Sequence, residues 1–274
     1  VIAAAEESGC IALHVGMESG NPEILKMIRK PGTVKNFIKA AEVLHNHESI
    51  HACLQLIVGF PGETMRMVMD TVKAALEMNM DWCKISPLQP LPGTPIYFSM
   101  IEQGLIEDDS DRQETRYAGG PFGKQAEIEQ GLRMATLNFE EAFSNIPLDA
   151  VPSCEQVTDI WFYMNYHLNF HRIFREDRPP KIKQQIANLE HLSDVIAPEN
   201  GFALYFLGFL QYKSFGKIDA SVIKRLSKQL DSSEFWRDRF SAFGLFPDDL
   251  KTMEFSNRYI PGLLPKGYTQ PLVA

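Results

Sequence analysis

The sequence predicts an α/β fold, three parallel βα units followed by a mostly α-helical region. Two observations carry this. Ile11–Asn21 (IALHVGMESGN), Cys53–Thr64 (CLQLIVGFPGET) and Asp81–Pro95 (DWCKISPLQPLPGTP) are apolar runs of strand length ending in small, polar, proline or glycine residues. Segments with apolar residues at helical spacing separate them, and strands alternating with helices make crossover units and a parallel sheet. Ligands of such sheets gather at the carboxyl ends of the strands, where these three tails lie.

The elements follow in order. Val1–Gly9 reads as the end of a helix that leads into the first strand. Asn21 caps and Pro22 opens a short helix to about Lys30, stopped by Pro31-Gly32. Thr33 caps the next, with Val34, Phe37, Ile38, Ala41 and Leu44 on one face. After the second strand, a helix from about Thr64 to Asn79 carries Met65, Val68, Met69, Val72, Ala75 and Leu76. The third strand and a proline-rich tail precede a helix near Ile96–Gln103. Residues 106–150 form an acidic linker (EDDSDRQET, YAGGPFGK) and a connecting helix with Ile128, Leu132, Ala135, Phe139 and Ala142. Beyond Pro152 strand signals fade, and helices are expected at 155–176, 181–196, 201–214, 219–230 and 233–242. Tyr259–Ala274 reads as an extended arm. The domain division is therefore 1–105 (α/β), 106–150 (linker and helix) and 151–274 (helical).

Side chains of a strand alternate between two faces. Leu13, Val15 and Met17 oppose His14, Gly16 and Glu18. Leu54, Leu56 and Val58 oppose Gln55, Ile57 and Gly59; Cys83, Ile85 and Pro87 oppose Lys84, Ser86 and Leu88. A sheet covered by helices on both sides is apolar on both faces. A recurrent polar face instead predicts the inside of a barrel that holds a ligand. A barrel whose inner polar groups merely satisfy one another is the alternative.

Composition sets bounds. The 274 residues are 45% hydrophobic and 23% charged, ordinary for a soluble globular protein. The net charge of −8 lies in the first half: residues 1–150 hold 12 Lys/Arg against 21 Asp/Glu, the remainder 15 against 14. That argues against a nucleic-acid surface, which is basic and clustered. The longest apolar stretch, Phe202–Leu210, is too short to span a bilayer. Cys10, Cys53, Cys83 and Cys154 lack the close spacing of a zinc or cluster motif, so a reducing, cytoplasmic setting is expected and no metal ligand is assigned. Cys10, Cys53 and Cys83 read as buried small hydrophobes. His45, His47 and His51 read as a helix terminus rather than a metal site. Trp161, Phe162, Tyr163, Tyr166 and Phe170 read as helical core, and Arg172, Arg175, Arg178, Lys181 and Lys183 as a solvated or domain-docking face.

The strand tails carry the chemistry. Gly16–Asn21 (GMESGN) places Glu18 and Ser19 between glycines where a strand turns into a helix. A carboxylate there accepts bonds from ribose hydroxyls or an ammonium group; a plain helix cap is the alternative. In Ile57–Thr64 (IVGFPGET), Ile57 can lie against a flat ring and Gly59 leaves space beside it, while Glu63 reads as structural. In Leu88–Pro95 (LQPLPGTP), prolines hold an extended path and leave carbonyls free to receive an adenine amino group.

The ordered set GMESGNPEILKMIRK, IVGFPGET and PLPGTPIY resembles radical S-adenosylmethionine enzymes, in particular the group that often carries an N-terminal cobalamin-binding domain. The resemblance covers roughly Val1–Leu105 and implies the C-terminal half of a partial (β/α)6 TIM-like barrel. It further implies that S-adenosylmethionine meets Glu18, Ser19, Lys30, Gln55, Ile57, Gly59 and the backbone around Leu88, Gln89 and Pro90. Lys30 would pair with its carboxylate and Ile57 would meet the adenine; Gln55 departs from the glycine usual there. The implied reaction is reductive cleavage of the cofactor at a [4Fe-4S] cluster, giving a 5′-deoxyadenosyl radical, or cobalamin-assisted methyl transfer. The implied partners are a small-molecule substrate and an electron donor such as flavodoxin or ferredoxin.

The family's CxxxCxxC motif and the cobalamin D-x-H-x-x-G are not in this sequence, so the chain reads as a fragment, inactive alone, whose cluster ligands lie upstream. His14 and Lys84, with Ser86, are the candidates for substrate contact, and His14 or Lys84 for acid or base work. The helical region is expected to cover the barrel mouth or present a partner surface. A non-catalytic binding or scaffold protein and a phosphate-binding barrel are the competing readings. The first strand is expected to expose an unpaired edge, with poor solubility.

Overall fold

The protein is described from a computed structural model that covers residues 1–106 and 139–255. Strands β1 (Ala12–Glu18), β2 (His51–Val58) and β3 (Trp82–Pro87) form a parallel sheet in the order β1-β2-β3. Helix α1 (Ile2–Glu7) leads in; α2 (Pro22–Met27) and α3 (Val34–His45) join β1 to β2, and α4 (Met65–Met78) joins β2 to β3. After α5 (Pro95–Glu102), the described chain resumes at α6 (Phe139–Ala142). The acidic linker and most of the expected connecting helix lie outside the described residues, as does the extended arm.

The local signals act as anticipated. The Asn21 side chain accepts from the amides of Glu23 and Ile24, and Thr33 and Asn36 form a reciprocal capping box. The outward faces of the strands are the buried ones: Leu54, Leu56, Val58, Cys83 and Ile85 join Ala41, Leu44, Val68, Val72 and Ala75 of the helices in one core. On the opposite face His14 and Lys84 are exposed, and Gly16, Gln55, Ile57 and Ser86 are half-buried. Cys53 and Cys83 are buried as expected, but Cys10 is only half-buried, its thiol turned to the Ala12 carbonyl beside the open start of β1.

The helical region departs from expectation at two places. The run expected at 155–176 is α7 (Cys154–Asn165), a π-helical turn (Tyr166–Phe170) and a 3₁₀ turn (His171–Arg175) in succession. Pro179-Pro180 does not interrupt the next helix; it occupies the first positions of α8 (Pro179–His191), where proline loses no hydrogen bond. A second π turn (Leu192–Ile196), α9 (Gly201–Phe215), α10 (Ala220–Ser232), α11 (Glu234–Ala242) and α12 (Asp249–Thr252) follow. Helix α9 is apolar all round and buried over Gly201–Leu210, so it forms the centre of this region. Trp161, Phe162, Tyr163, Tyr166 and Phe170 are core residues, as their helical spacing indicated.

Among the described residues, the helical region meets the outer edge of β3 and the amino ends of the strands. Along the edge, Trp161 Nε1 donates to the Ile85 carbonyl at 2.9 Å. The Asn169 amide accepts from Cys83 N–H at 2.6 Å and donates to the Cys83 carbonyl at 2.9 Å. Arg172 reaches the Asp81 carbonyl at 3.0 Å. At the amino ends, the fully buried Lys181 donates to Asp81 Oδ2 at 2.7 Å and to the Ile50 carbonyl at 2.6 Å. Gln184 takes the carbonyls of Glu48 and Ser49, and Asn188 meets the His51 ring at 2.9 Å. Burial pushes the Asp81 carboxyl upward, but the hydrogen bonds from Lys181 and Ala52 N–H, with the charges of Lys181 and Arg172, outweigh it and hold the group below the usual carboxylate range. The basic stretch is thus a docking face, with Lys183 left exposed.

Removing one member of a buried pair leaves the other charge uncompensated, which costs about 3–5 kcal/mol. Lys181→Met is expected to lower unfolding free energy by about that amount in urea titrations, whereas Lys183→Met changes it by less than about 0.5 kcal/mol.

Candidate functional site

The open side of the sheet carries the candidate site, and its best-defined feature lies where β1 ends. A bulge between Gly16 and Glu18 shifts the pairing with β2, and Glu18 adopts φ 68. A left-handed conformation is costly for a residue with a side chain and marks a position held by its surroundings. It turns the carboxylate back over Gly16, where Lys30 Nζ meets Glu18 Oε1 at 2.9 Å. A Cβ on Gly16 would lie 2.7 Å from that oxygen and 3.1 Å from Lys30 Nζ, so a larger residue there would push the ion pair aside. Lys30 arrives by an equally constrained route: Arg29 has φ 56, and Lys30 N–H bonds back to the Leu25 carbonyl as α2 ends. Two of the four left-handed non-glycine residues among the described residues therefore flank one ion pair.

The rest of GMESGN faces the other way. Ser19 is fully buried; its hydroxyl lies 3.1 Å from Thr71 Oγ1 and accepts from Asn21 N–H. Gly20 N–H donates to Thr71 Oγ1 at 2.9 Å, and Asn21 Nδ2 to Asp70 Oδ2 at 2.9 Å. A Cβ on Gly20 would lie 2.6 Å from both the Asp70 carbonyl oxygen and Thr71 Cα. Ser19, Gly20 and Asn21 thus pin the end of β1 to α4, and the Ser19 hydroxyl is spent in that contact. The sequence offered one signal for this split: residues 18 and 19 lie on opposite faces of an extended chain.

On β2, Gln55 and Ile57 lie on the open face, and Gln55 Nε2 is 3.5 Å from His14 Nδ1. Gly59 has φ 89, but the space beside it is taken: a Cβ there would lie 3.0 Å from Val157 Cγ1 of α7. The room expected there for a ring is filled by the helical region. Its amide, with that of Phe60, donates to Glu63 Oε2 at 2.6 and 3.2 Å. Glu63 is almost fully buried, and burial raises its pKa to about 7 against those two hydrogen bonds. On β3, Lys84 is exposed and Ser86 half-buried on the same open face. Leu88, Gln89 and Pro90 are half-buried, and Leu88 N–H donates to the Val58 carbonyl, extending the ladder by one bond.

The residues fit some ligands and not others. Thr64 makes no side-chain cap; the carbonyls of Ala150 and Leu148 instead accept from Met65 and Arg66 N–H. The Glu23 and Ile24 amides of α2 are thus taken by Asn21, and the Met65 and Arg66 amides of α4 by these carbonyls, which leaves these two helix starts fewer free donors for a phosphate. Burial raises the Cys53 and Cys83 thiols to about 11 and about 12, in keeping with their reading as small buried hydrophobes. Among the described residues no three His, Cys, Asp or Glu converge on a metal position. His47 pairs with Glu6 and His51 with Asn188, which accounts for two of the three histidines. The Glu18–Lys30 pair, Gln55 and Ile57 do fit a ligand with hydroxyl, zwitterionic and flat aromatic parts, as S-adenosylmethionine has.

Residues 1–75 match the family model of the Radical SAM superfamily. The chain is 33% identical over 106 residues to an uncharacterised methyltransferase of Pyrococcus horikoshii, covering 39% of this chain and 23% of that protein. It is 34% identical over 87 residues to a tRNA-2-methylthio-N(6)-dimethylallyladenosine synthase of Sulfurihydrogenibium sp., covering 31% and 20%. It is 30% identical over 112 residues to the bacteriochlorophyllide d C-12(1)-methyltransferase of Chlorobaculum tepidum, covering 40% and 24%. The match thus spans about a quarter or less of each relative's length. The similarity to the radical SAM superfamily thus lies in the N-terminal α/β segment, and the relatives it matches there include two methyltransferases and a methylthio-adenosine synthase.

Two outcomes follow from the contacts around this site. Gly20→Ala drives a methyl group into the α4 backbone, an overpacking expected to cost about 1–3 kcal/mol or more in urea titrations. Because the Glu63 pKa is raised in the folded protein to about 7, its deprotonation weakens the fold. That contribution is fully present below about pH 4.3, the unfolded value, and is lost as pH rises through about 7. The stability difference between the wild type and Glu63→Gln should therefore shift against the wild type across that window and be level on either side.

Proposed function

We propose that this chain forms the S-adenosylmethionine-binding wall of a radical enzyme that carries out methyl transfer or a related modification at carbon. The observation that supports this best is the Glu18–Lys30 pair, held by two left-handed residues on the face that also carries Gln55 and Ile57. In this reading Glu18 accepts from the ribose hydroxyls or the methionine ammonium, and Lys30 pairs with the methionine carboxylate. Ile57 lies against the adenine with Gln55 beside it, and the peptide groups of Leu88, Gln89 and Pro90 receive the adenine amino group. Ser19 and Gly59 act through the backbone, the first by fixing the end of β1 on α4, the second by its turn. When bound, the cofactor supplies the methyl group or the radical chemistry.

His14 and Lys84 touch the substrate, and one of them moves a proton. The [4Fe-4S] cluster of such chemistry would rest on ligands outside these 274 residues, and cobalamin would serve the methyl-transfer form of the reaction. A small-molecule substrate, a flavodoxin or ferredoxin as electron donor and a cytoplasmic setting complete the proposal. The methyltransferases of Pyrococcus horikoshii and Chlorobaculum tepidum support methyl transfer.

Calorimetric titration of S-adenosylmethionine into the full chain tests the reading. Hydrogen bonds to charged groups are worth about 1.5–3 kcal/mol, so Glu18→Ala and Lys30→Met should each weaken binding about tenfold or more. Failure of the wild type to bind, or wild-type affinity in both variants, would overturn it.

A further inference from the structure

Lys84 stands in the middle of β3 on the open face, exposed, and among the described residues its Nζ makes no hydrogen bond or ion pair. Lysine is depleted in strands, and Lys35, Lys39, Lys183 and Lys224, likewise without an ion pair, stand on helix surfaces instead. The register places Gln55 directly beside Lys84, and Gly16 directly beyond Gln55. His14 lies 3.5 Å from the Gln55 amide, and Ser86 stands next to Ile57 on the same face. The Gln55 amide has only that long contact, and the Ser86 hydroxyl has none.

The charge balance of this face runs against that of its half of the chain. Residues 1–150 carry 21 acidic against 12 basic residues. Among the described residues, Glu18, Lys30 and Lys84 bring charge to the open face, and the first two neutralise each other. Lys84 is left as a localised positive charge with an amide, a hydroxyl and an imidazole around it. Two strand spacings, about 10 Å, separate it from the β1 end of the face, room for one ligand between them. A group that accepts hydrogen bonds and carries negative charge, a carboxylate or a phosphate, satisfies that set. A neutral or cationic group would leave the ammonium without a partner.

We propose that the substrate is bound through an anionic head group, held by Lys84 with Gln55, His14 and Ser86 around it, opposite the Glu18–Lys30 pair. The proposal rests on reading this face as the substrate side of an S-adenosylmethionine site. The test is the rate of Lys84 acetylation in the full chain, read by mass spectrometry of the peptide that contains it. Succinate and inorganic phosphate serve as two separate probes, and sodium chloride at equal ionic strength as the control. Lys39, exposed on α3, is the internal reference.

An exposed charge contact worth about 1 kcal/mol should slow Lys84 acetylation about fivefold relative to Lys39 with whichever probe carries the matching head group. Gln55→Ala should reduce that protection to less than about twofold. Equal labelling of Lys84 and Lys39 with both probes, or protection unchanged in Gln55→Ala, would overturn the proposal. S-adenosylmethionine binding is measured on the same samples. Binding that persists without anion protection removes this inference alone; anion protection without cofactor binding removes the cofactor reading and leaves the anion site standing.

Discussion

The outer edge of β3 sets the terms for the rest of the molecule. A strand at the edge of a parallel sheet presents carbonyls and amides that water or another chain must satisfy. Here side chains of one continuous helical run satisfy them. Trp161, Asn169 and Arg172 take the groups of Ile85, Cys83 and Asp81, and the Asn169 amide bonds both backbone groups of one residue as a neighbouring strand would. The π turn falls within that run, at Tyr166–Phe170, and carries Asn169 itself. Inserting one residue per turn rotates the side chains that follow, a common reason for π-helical turns at sites of special contact.

Two consequences follow from that edge. The helical region is committed to one side and to the amino ends of the strands, where Lys181 reaches the buried Asp81. Near the carboxyl ends it places Val157 against Gly59. The open face of the sheet therefore keeps His14 and Lys84 exposed. A lid over the strand ends would have buried those groups at the cost of their hydration.

The site itself depends on a division of labour within six residues. Gly16 and Glu18 serve the open face, whereas Ser19, Gly20 and Asn21 serve the contact with α4. A bulge and a left-handed glutamate separate the two roles. Strain of that kind persists only where surrounding contacts over-determine it, and here the buried Ser19–Thr71 contact and the Gly20 approach to the α4 backbone supply them. Glu63 plays a matching part after β2, gathering the amides of Gly59 and Phe60 on one buried oxygen.

The sequence by itself determined the parallel βα units, their helix caps and the alternation that leaves Lys84, Gln55 and His14 on one face. These depend on local propensity and on a period of two, which a single chain displays directly. It also carried the family resemblance, because the turn residues at three strand ends occur in a fixed order. Only the tertiary structure decided which half of GMESGN meets solvent, that Val157 fills the space beside Gly59, and that Lys181 is a buried partner of Asp81 rather than one more charge in a basic stretch. Each of these joins residues about 50 positions or more apart, and no local period encodes which distant side chain completes a buried hydrogen bond. Close packing settles that choice, since every buried polar group must find its partner in one arrangement of the whole.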